Sequence, residues 1–300
     1  MKQKLAFWVE RFFYNPRPLD RFVSFLFSPF TLLYCLIVFF KYKTKTPQDM
    51  GIKVISIGNL TVGGSGKTPL VSALAKRYEN SAVVLRGYGR ESKGLIVVKD
   101  KEKILCDFKK CGDEALVYAS KLENSIIIVS ENRKEGILKA KDLGAKMVFL
   151  DDGYSKHDIK KLDFLIDVKT KNDFCLPAGP YREKLWKGKK VTILKEDIDF
   201  KRKVSIENSD KKLSLVTAIA RPQRLDRYLP KNLIAKHYFA DHYTFTKDDI
   251  AQIFKNDGCE AILVTLKDYV KLKDFGFEIV LMDLELEVDE RVFDIIDKYN

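Results

Sequence analysis

The chain has 300 residues, of which 46% are hydrophobic and 32% are charged. This composition can build a core in one large domain or two smaller ones, so it excludes disordered, collagen-like and multi-span membrane proteins. The 54 Lys and Arg residues exceed the 42 Asp and Glu residues, which gives a net charge of +12. That excess favours anionic partners such as phosphorylated molecules or an anionic membrane surface, whereas the sequence contains no nucleic-acid-binding motif.

The N-terminal segment, residues 1–45, differs from the rest of the chain. Residues 22–40 form a run of nineteen residues without a charge, and basic residues flank it on both sides. Such a run can just cross a bilayer, it can bend at Pro29 and lie in the membrane interface, or it can form a buried hairpin of core helices. We expect a membrane-associated helical segment attached from the cytoplasmic side, because a nucleotide-binding site follows it.

A strand, a glycine-rich loop and a helix follow one another from residue 53. Residues 53–57 are rich in β-branched side chains, residues 58–69 read GNLTVGGSGKTP, and a helical pattern follows. In this context the loop predicts a P-loop that surrounds phosphates with backbone N–H groups, although Thr61 stands where the strict pattern has glycine. Lys67 would reach the β- and γ-phosphates of ATP, and the Thr68 hydroxyl would coordinate Mg²⁺. The predicted nucleotide-binding residues are Gly63, Gly64, Ser65, Gly66, Lys67 and Thr68.

Two acidic residues follow a second apolar strand. Residues 146–150 predict a strand that ends in Asp151 and Asp152. An apolar strand that closes on a carboxylate is the Walker B arrangement, which places an acid near Mg²⁺. Either Asp152 or Asp151 is therefore predicted to lie on the metal side of the site.

Of three further polar residues, two allow two interpretations each. Asp113 opens a predicted helix between the two nucleotide strands, and from the residues alone a helix N-cap is favoured over a general base. His242 is typical of a polar loop. Arg182 is either a solvated surface charge or a bidentate ligand of a phosphate.

Several short motifs occur in a fixed order along the chain. They are GNLTVGGSGKTP (58–69), RGYGR (86–90), GDEA (112–115), LDDGY (150–154), PAGPYRE (177–183), ARP (220–222) and ADHY (240–243). Together with the apolar N-terminus, they resemble the tetraacyldisaccharide 4'-kinase family, the membrane-bound kinases of lipid A biosynthesis.

The resemblance implies a reaction and its partners. The γ-phosphoryl group of ATP, bound with Mg²⁺, would pass to the 4'-hydroxyl of a tetraacylated glucosamine disaccharide 1-phosphate and form lipid IVA. The expected partners are this phosphorylated glycolipid and the membrane surface, without nucleic acid, and the chain is expected to be a monomer. The expected location is the cytoplasmic face of the bacterial inner membrane.

The resemblance also implies roles for individual residues. Asp113 would be the catalytic base, assisted by His242, with Lys67 as the third catalytic residue. Glu183 would lie near the metal together with Thr68, Asp151 and Asp152. The residues expected to bind the acceptor substrate or its phosphate are Arg86, Tyr88, Arg90 and Arg182.

The motif after residue 150 departs from the family pattern. After LDDG the family usually has Phe-Gln-His, whereas this chain has Tyr154, Ser155, Lys156 and His157. Ser155 would be a shorter substitute for the Gln that lies near the metal, and His157 would stand one place later than the family's His.

The order of predicted elements indicates the domain organisation. Strands and helices alternate from residue 52 to about residue 168 and predict a P-loop NTPase-like parallel sheet, within a kinase domain over 46–190. A smaller α/β domain is predicted over 191–300. A cleft between the two domains would bring Asp113 and His242 together and close by a hinge motion. The predicted strands are 53–57, 81–86, 125–129, 146–150, 163–167, 213–218, 261–265 and 278–282.

An alternative function is a membrane-attached P-loop ATPase switch of the partitioning or targeting type. Such ATPases carry a second Lys early in the loop, where this chain has Thr61 and Val62. They also do not require RGYGR, GDE and PAGPYRE together. The sequence therefore favours the kinase.

Overall fold

The structure, a computed structural model, describes residues 2–207 and 209–299, with side chains described from residue 8 onward. Positions 1, 208 and 300 of the predicted N-terminal segment and C-terminal domain lie outside the described residues. The helices are α1 (Lys2–Tyr14), α2 (Pro18–Leu26), α3 (Ser28–Lys43), α4 (Lys67–Lys76), α5 (Phe108–Cys111), α6 (Asp113–Lys121), α7 (Arg133–Asp142), α8 (Lys247–Asp257), α9 (Leu266–Leu272) and α10 (Glu290–Lys298). The strands are β1 (Lys53–Gly58), β2 (Ser81–Leu85), β3 (Ile96–Asp100), β4 (Ile126–Val129), β5 (Met147–Asp151), β6 (Leu162–Ile166), β7 (Thr192–Leu194), β8 (Phe200–Ile206), β9 (Leu213–Thr217), β10 (Leu233–Tyr238), β11 (Ala261–Thr265) and β12 (Ile279–Val288).

Seven strands form what we call the large sheet, in the order β3-β4-β2-β5-β1-β6-β7. All neighbouring strands in it are parallel except β3, which pairs antiparallel with β4 at one edge. The central strands β2 and β4 are buried along their whole length, as expected when helices cover both faces of a parallel sheet. Helices α4, α6 and α10 contribute to the core on one face, and α7 covers the other. The predicted α/β fold with a parallel sheet is confirmed.

Five strands form the small sheet, in the order β10-β9-β11-β12-β8. Its outer strand β8 is antiparallel to β12, and the other neighbours are parallel. The three predicted strands of this unit are present as β9, β11 and β12. The prediction missed β8 and β10 because both lie at sheet edges, where half of the side chains are polar and the hydrophobic signal is weak.

The end of the chain returns to the large sheet. Helix α10 buries Val292, Phe293 and Ile296 in the core that also contains Ile55 of β1. Strand β7 (192–194) also pairs with β6 of the large sheet, beyond the predicted boundary at residue 190. The large-sheet unit therefore contains chain segments from both sides of that boundary.

The N-terminal helices α1 to α3 lie against the large-sheet unit and carry an exposed apolar surface. Thr31 of α3 donates a hydrogen bond to the carbonyl of Cys175 over 3.1 Å, and Tyr34 donates to the carbonyl of Arg182 over 3.0 Å. The exposed apolar side chains of α2 and α3 include Leu19, Phe22, Phe25, Leu26, Phe30, Leu32, Leu33, Leu36, Ile37, Phe39 and Phe40.

Among the described residues, no single helix is both long enough and apolar enough to cross a membrane. The pair Pro18–Leu26 and Ser28–Lys43 reaches that length and hydropathy together, with a bend of 60° between its two helices.

Candidate active site

The glycine-rich loop runs from the end of β1 to the first turn of α4. Gly63 and Gly66 have φ angles of 86° and 85°, in the left-handed region that glycine adopts without steric cost. Gly66 is the N-cap of α4, so the loop leads its backbone directly into a helix N-terminus. This geometry leaves backbone N–H groups available for an anion. At the variant position, Thr61 is buried, and its hydroxyl accepts a hydrogen bond from Asn59 over 3.1 Å.

Lys67 lies in a polar cluster at the base of the loop. Its Nζ donates to Asn59 Oδ1 over 3.0 Å and lies 3.7 Å from Asp152 Oδ1. Arg182 also donates to Asn59 Oδ1, over 3.1 Å, and forms an ion pair with Asp152. Burial opposes ionisation of Asp152, but the charges of Lys67 and Arg182 outweigh it and lower the pKa of this carboxyl. Two cations and one carboxylate are thus held beside the loop.

Asp151 differs from its neighbour because none of the described residues forms an ion pair with it. Its Oδ2 accepts a hydrogen bond from the Tyr118 hydroxyl over 2.8 Å, and its buried Oδ1 has no hydrogen-bond partner among the described residues. Burial raises the pKa of Asp151 to about 7. The hydroxyl of Tyr118 also interacts with Thr68 of the loop, which places the Thr68 hydroxyl near this carboxylate.

The unpaired oxygen of Asp151 fits Mg²⁺, which prefers oxygen ligands. The described residues contain no group of three His, Cys, Asp or Glu side chains that could hold a metal by themselves. Mg²⁺ is usually held by one or two protein oxygens together with substrate phosphates. Asp151 and Thr68 are therefore the residues that could hold it.

Asp113 and His242 come together from different parts of the chain. Asp113 is the first residue of α6, after the N-cap Gly112, and His242 follows β10 of the small sheet. The distance between His242 Nδ1 and Asp113 Oδ2 is 3.1 Å. Burial alone would raise the pKa of Asp113, but the hydrogen bond from His242 and the charges of Lys267 and Lys271 hold it well below its usual range.

One cleft of about 1240 Å³ connects the loop with this pair. The predicted site residues that line it are Gly63, Gly64, Ser65, Gly66, Lys67, Thr68, Arg86, Tyr88, Asp151, Asp152, Arg182 and His242. Asp113 is buried and reaches the cleft through its contact with His242.

Arg90 and Glu183 are not among the described residues that line the cleft. Arg90 is paired with Glu131 over 2.5 Å. Glu183 is buried, with its Oε2 3.6 Å from His157 Nε2. The side chain of His157 also contacts Lys189 over 3.1 Å, so His157 and Glu183 belong to a separate buried cluster.

Other cleft residues were missed by sequence reasoning. Arg133 is buried and donates to the carbonyl of Asp151 over 3.3 Å. Arg133 is the first residue of α7, which follows β4. Because parallel strands end at the same edge of the sheet, a charged residue just beyond β4 was a usable signal for the site at that edge. Lys267 follows β11 in the same way. Asn59 gave no signal of its own, because an Asn in a glycine-rich loop reads as a turn residue.

Three arginines of the small-sheet unit extend over the glycine-rich loop. The Arg202 guanidinium lies so close to Gly66 that an added Cβ there would be 2.9 Å from its Nη2. Arg224 Nη1 donates to the Gly64 carbonyl over 3.3 Å, and burial lowers the pKa of Arg224 to about 10. The Arg221 guanidinium stacks 3.4 Å from the ring centre of Tyr14, whose hydroxyl donates to the Val62 carbonyl. Lysine and arginine side chains from both sheet units therefore place positive charge around the glycine-rich loop.

The family model for tetraacyldisaccharide-1-P 4'-kinase, LpxK, matches residues 23–300. The chain belongs to this kinase family. Its membership confirms the resemblance based on the motifs, and nothing supports the alternative of an ATPase switch.

Relatives and a solved structure agree with this assignment. The tetraacyldisaccharide 4'-kinase of Aliarcobacter butzleri is 48% identical over 97% of this chain and 96% of its own length. The enzyme of the same name from Helicobacter pylori strain J99 is 44% identical over 97% of this chain and 94% of its own length. A crystal structure of LpxK from Aquifex aeolicus, described as an "apo" form in complex with ATP, matches with a TM-score of 0.70 and 25% identity. That match covers 92% of this chain and 98% of the Aquifex chain.

Proposed function

We propose that this chain transfers the γ-phosphoryl group of ATP to the 4'-hydroxyl of a tetraacyldisaccharide 1-phosphate and so forms lipid IVA in lipid A biosynthesis. The observation that carries the proposal is the shared cleft. The glycine-rich loop, which we call the phosphate loop from here on, and His242 both line this cleft, and Asp113 contacts His242. A phosphate cradle and a proton acceptor are the two parts that phosphoryl transfer to an alcohol requires.

The phosphate loop and its cations would bind ATP. Backbone N–H groups from Gly63 to Thr68 and the N-terminus of α4 would hold the phosphates, and Lys67 would neutralise the β- and γ-phosphates. On binding, Lys67 would exchange its contacts with Asn59 and Asp152 for phosphate oxygens. When bound, Mg²⁺ supplies charge neutralisation between the phosphates, and Asp151 and Thr68 are the residues that would hold it.

Asp113 would accept the proton of the 4'-hydroxyl. Its low pKa keeps it ionised at neutral pH, and the His242 ring fixes the orientation of its carboxylate through Nδ1. Arg86 and Tyr88 would border the acceptor sugar, because they line the cleft near His242, whose ring centre lies 5.1 Å from that of Tyr88. Arg182 would contact a phosphate of either substrate.

The proposal includes the membrane surface as the place of reaction. The exposed apolar side chains of α2 and α3 support attachment of residues 1–45 to a membrane, where the acylated substrate resides. The cytoplasmic face of the inner membrane is proposed because ATP is available there. We also propose that the chain acts as a monomer, in which 46–190 together with β7 and α10 form the kinase domain and the rest of 191–300 forms the smaller domain.

A lipid phosphorylation assay tests the function. The purified full chain, mixed with Mg²⁺, γ-labelled ATP and the disaccharide 1-phosphate lipid in detergent, should transfer label to the lipid. Label should not appear when the 4'-hydroxyl is already phosphorylated, which distinguishes transfer to this hydroxyl from labelling elsewhere. An unlabelled lipid in the first reaction would overturn the proposal.

A further inference from the structure

Two lysines of α9 lie against the Asp113–His242 pair. Lys271 Nζ is 3.4 Å from Asp113 Oδ2, and Lys267 Nζ is 3.9 Å from the same oxygen. Lys267 Nζ is also 3.2 Å from His242 Nε2. The carboxylate therefore faces three nitrogen groups of the small-sheet unit, while its own helix provides only the backbone N–H of Glu114, at 2.9 Å from Oδ1.

We propose that Lys267 and Lys271 are positioning residues of the kinase reaction: they hold Asp113 ionised and keep His242 in the tautomer that donates from Nδ1 to Asp113. The inference rests on the proposed function and assigns the groups that prepare its base. The two lysines contribute to this state through different contacts.

Lys267 determines which nitrogen of His242 carries the proton. An ammonium group can only donate a hydrogen bond, so at the Lys267 contact His242 Nε2 accepts. The single proton of the neutral ring is then on Nδ1, where it points to Asp113. Asp241 keeps Lys267 in place, since its Oδ1 lies 3.0 Å from Lys267 Nζ.

Lys271 is a buried residue that lies beside the Asp113 carboxylate. Its Nζ also donates to the carbonyl of Tyr243 over 3.2 Å. The other nearby carboxylate, Asp268, lies 3.7 Å away, and its oxygens already accept hydrogen bonds from Thr217, Thr265 and the backbone N–H of Ala218. The charge of Lys271 is therefore available to Asp113, which lies closer.

Removal of the positive charge of Lys267 or of Lys271 should raise the pKa of Asp113. A cation within about 4–6 Å lowers the pKa of a carboxyl by roughly 1–3 units, so its loss raises that pKa. The loss of Lys267 also removes a charge that opposes protonation of His242, so the pKa of His242 should rise. The other charged groups nearby, Glu114 and Asp241, remain in both variants.

The experiment compares Lys267→Met and Lys271→Met with Lys271→Arg and the control Lys273→Met, all in the full chain. Lys273 is exposed just after α9, so its loss removes the same charge away from the pair. In Lys271→Met the pKa of Asp113, followed by carbon NMR of its side-chain carboxyl, should rise by about one unit, while Lys271→Arg and Lys273→Met should keep the wild-type titration. The KM for ATP should stay within about twofold, since neither lysine is assigned to the nucleotide.

Nitrogen NMR of the three histidines gives a readout that is independent of turnover. The wild-type His242 signals should report a proton on Nδ1, and in Lys267→Met the ring should titrate at higher pH. A uniform loss of activity with an unmoved Asp113 titration and an unmoved His242 titration would overturn the proposal, as would a more than tenfold rise in the KM for ATP. If Lys271→Met fails to fold, Lys267→Met and Lys271→Arg still decide the question. If wild-type enzyme forms no lipid product, the proposed function fails, while the NMR measurement still tests the lysines.

Discussion

Asp113 and Asp151 are both buried carboxyls in one site, yet their pKa values shift in opposite directions. Cations and a hydrogen-bonded imidazole surround Asp113, and they outweigh the effect of burial. Asp151 has a phenol as its hydrogen-bond donor, so burial dominates and raises its pKa to about 7. The environment of each residue thus keeps Asp113 ionised and leaves Asp151 with one oxygen that has no hydrogen-bond partner among the described residues.

Asp113→Asn should lower kcat by about 10²–10⁴-fold, because the amide cannot accept the hydroxyl proton. ATP binding should be unchanged, since Asp113 lies at His242 and not at the phosphate loop. Steady-state kinetics and calorimetric titration with ATP check the two expectations. Asp142→Asn, an exposed position on α7, is the matched control. Wild-type turnover in Asp113→Asn would reject Asp113 as the base.

Lys67→Met should abolish stabilisation of the protein by ATP. A ligand at 100 times its Kd stabilises the folded state by about 2.7 kcal/mol, and the loop loses its phosphate cation in this variant. Thermal unfolding with and without Mg²⁺-ATP measures the difference. Lys76→Met, at the exposed C-terminal end of the same helix, should keep the full shift. An equal ATP-dependent shift in both variants would contradict the role of Lys67.

At the level of elements, parallel strands explain why distant motifs meet. Strands β1, β5 and β2 are neighbours in the large sheet, and each of them ends at the edge where the cleft opens. The phosphate loop follows β1, Asp152 follows β5, and Arg86 follows β2. The position just beyond a parallel strand is therefore where a polar residue says most about the site in such a sequence.

Helices α2 and α3 should bind membranes through their exposed apolar side chains. Phe25 and Leu33 are 69% and 57% exposed, and burying such side chains in lipid is worth about 1.5–3 kcal/mol each. Phe25→Glu combined with Leu33→Glu should therefore weaken sedimentation with phospholipid vesicles by more than tenfold.

The control for this membrane experiment is Leu138→Glu. Leu138 is 48% exposed on α7, a helix that packs against β2, β4 and β5 of the large sheet. This variant should sediment like wild type. Equal sedimentation of the double variant and the control would show that other surfaces attach the protein.

At the scale of the whole molecule, the two sheets provide different halves of the chemistry. The large sheet holds the phosphate loop, Asp151 and Asp113, and the small-sheet unit contributes His242, the lysines of α9 and the arginines over the loop. Bound ATP would place negative charge between these two sets of cations. We therefore expect the nucleotide to draw the units together.

Hydrogen exchange should detect this closure. Mg²⁺-ATP should slow exchange in residues 63–68 and 221–228 together, because Arg224 contacts the Gly64 carbonyl across the cleft. In Arg224→Ala the loop should still be protected by ATP, whereas residues 221–228 should lose their protection. Arg291→Ala, at an exposed position on α10, should behave like wild type. Unchanged exchange of residues 221–228 when wild type binds ATP would contradict closure.

The predictions from sequence succeeded where the signal was local. Strand β1, the glycine-rich loop and α4 are adjacent in the chain, so their combined pattern was visible in one stretch. Strands β8 and β10 were missed because they are edge strands, in which half of the side chains are polar and the hydrophobic signal is weak. The uncharged run at 22–40 indicated a membrane segment, but the structure divides it into two helices bent by 60°.

The sequence by itself determined the parallel α/β fold and the family and predicted the phosphate loop, because each depends on the order of residues along the chain. The net charge of +12 indicated anions without locating them. The family resemblance already implied that His242 assists Asp113, whereas only the tertiary structure decided that the two lysines of α9 face this carboxylate and that Arg202 and Arg224 lie over the loop. The physical reason is that such contacts depend on how the two sheets pack, and residues more than a hundred positions apart leave no local pattern of their proximity.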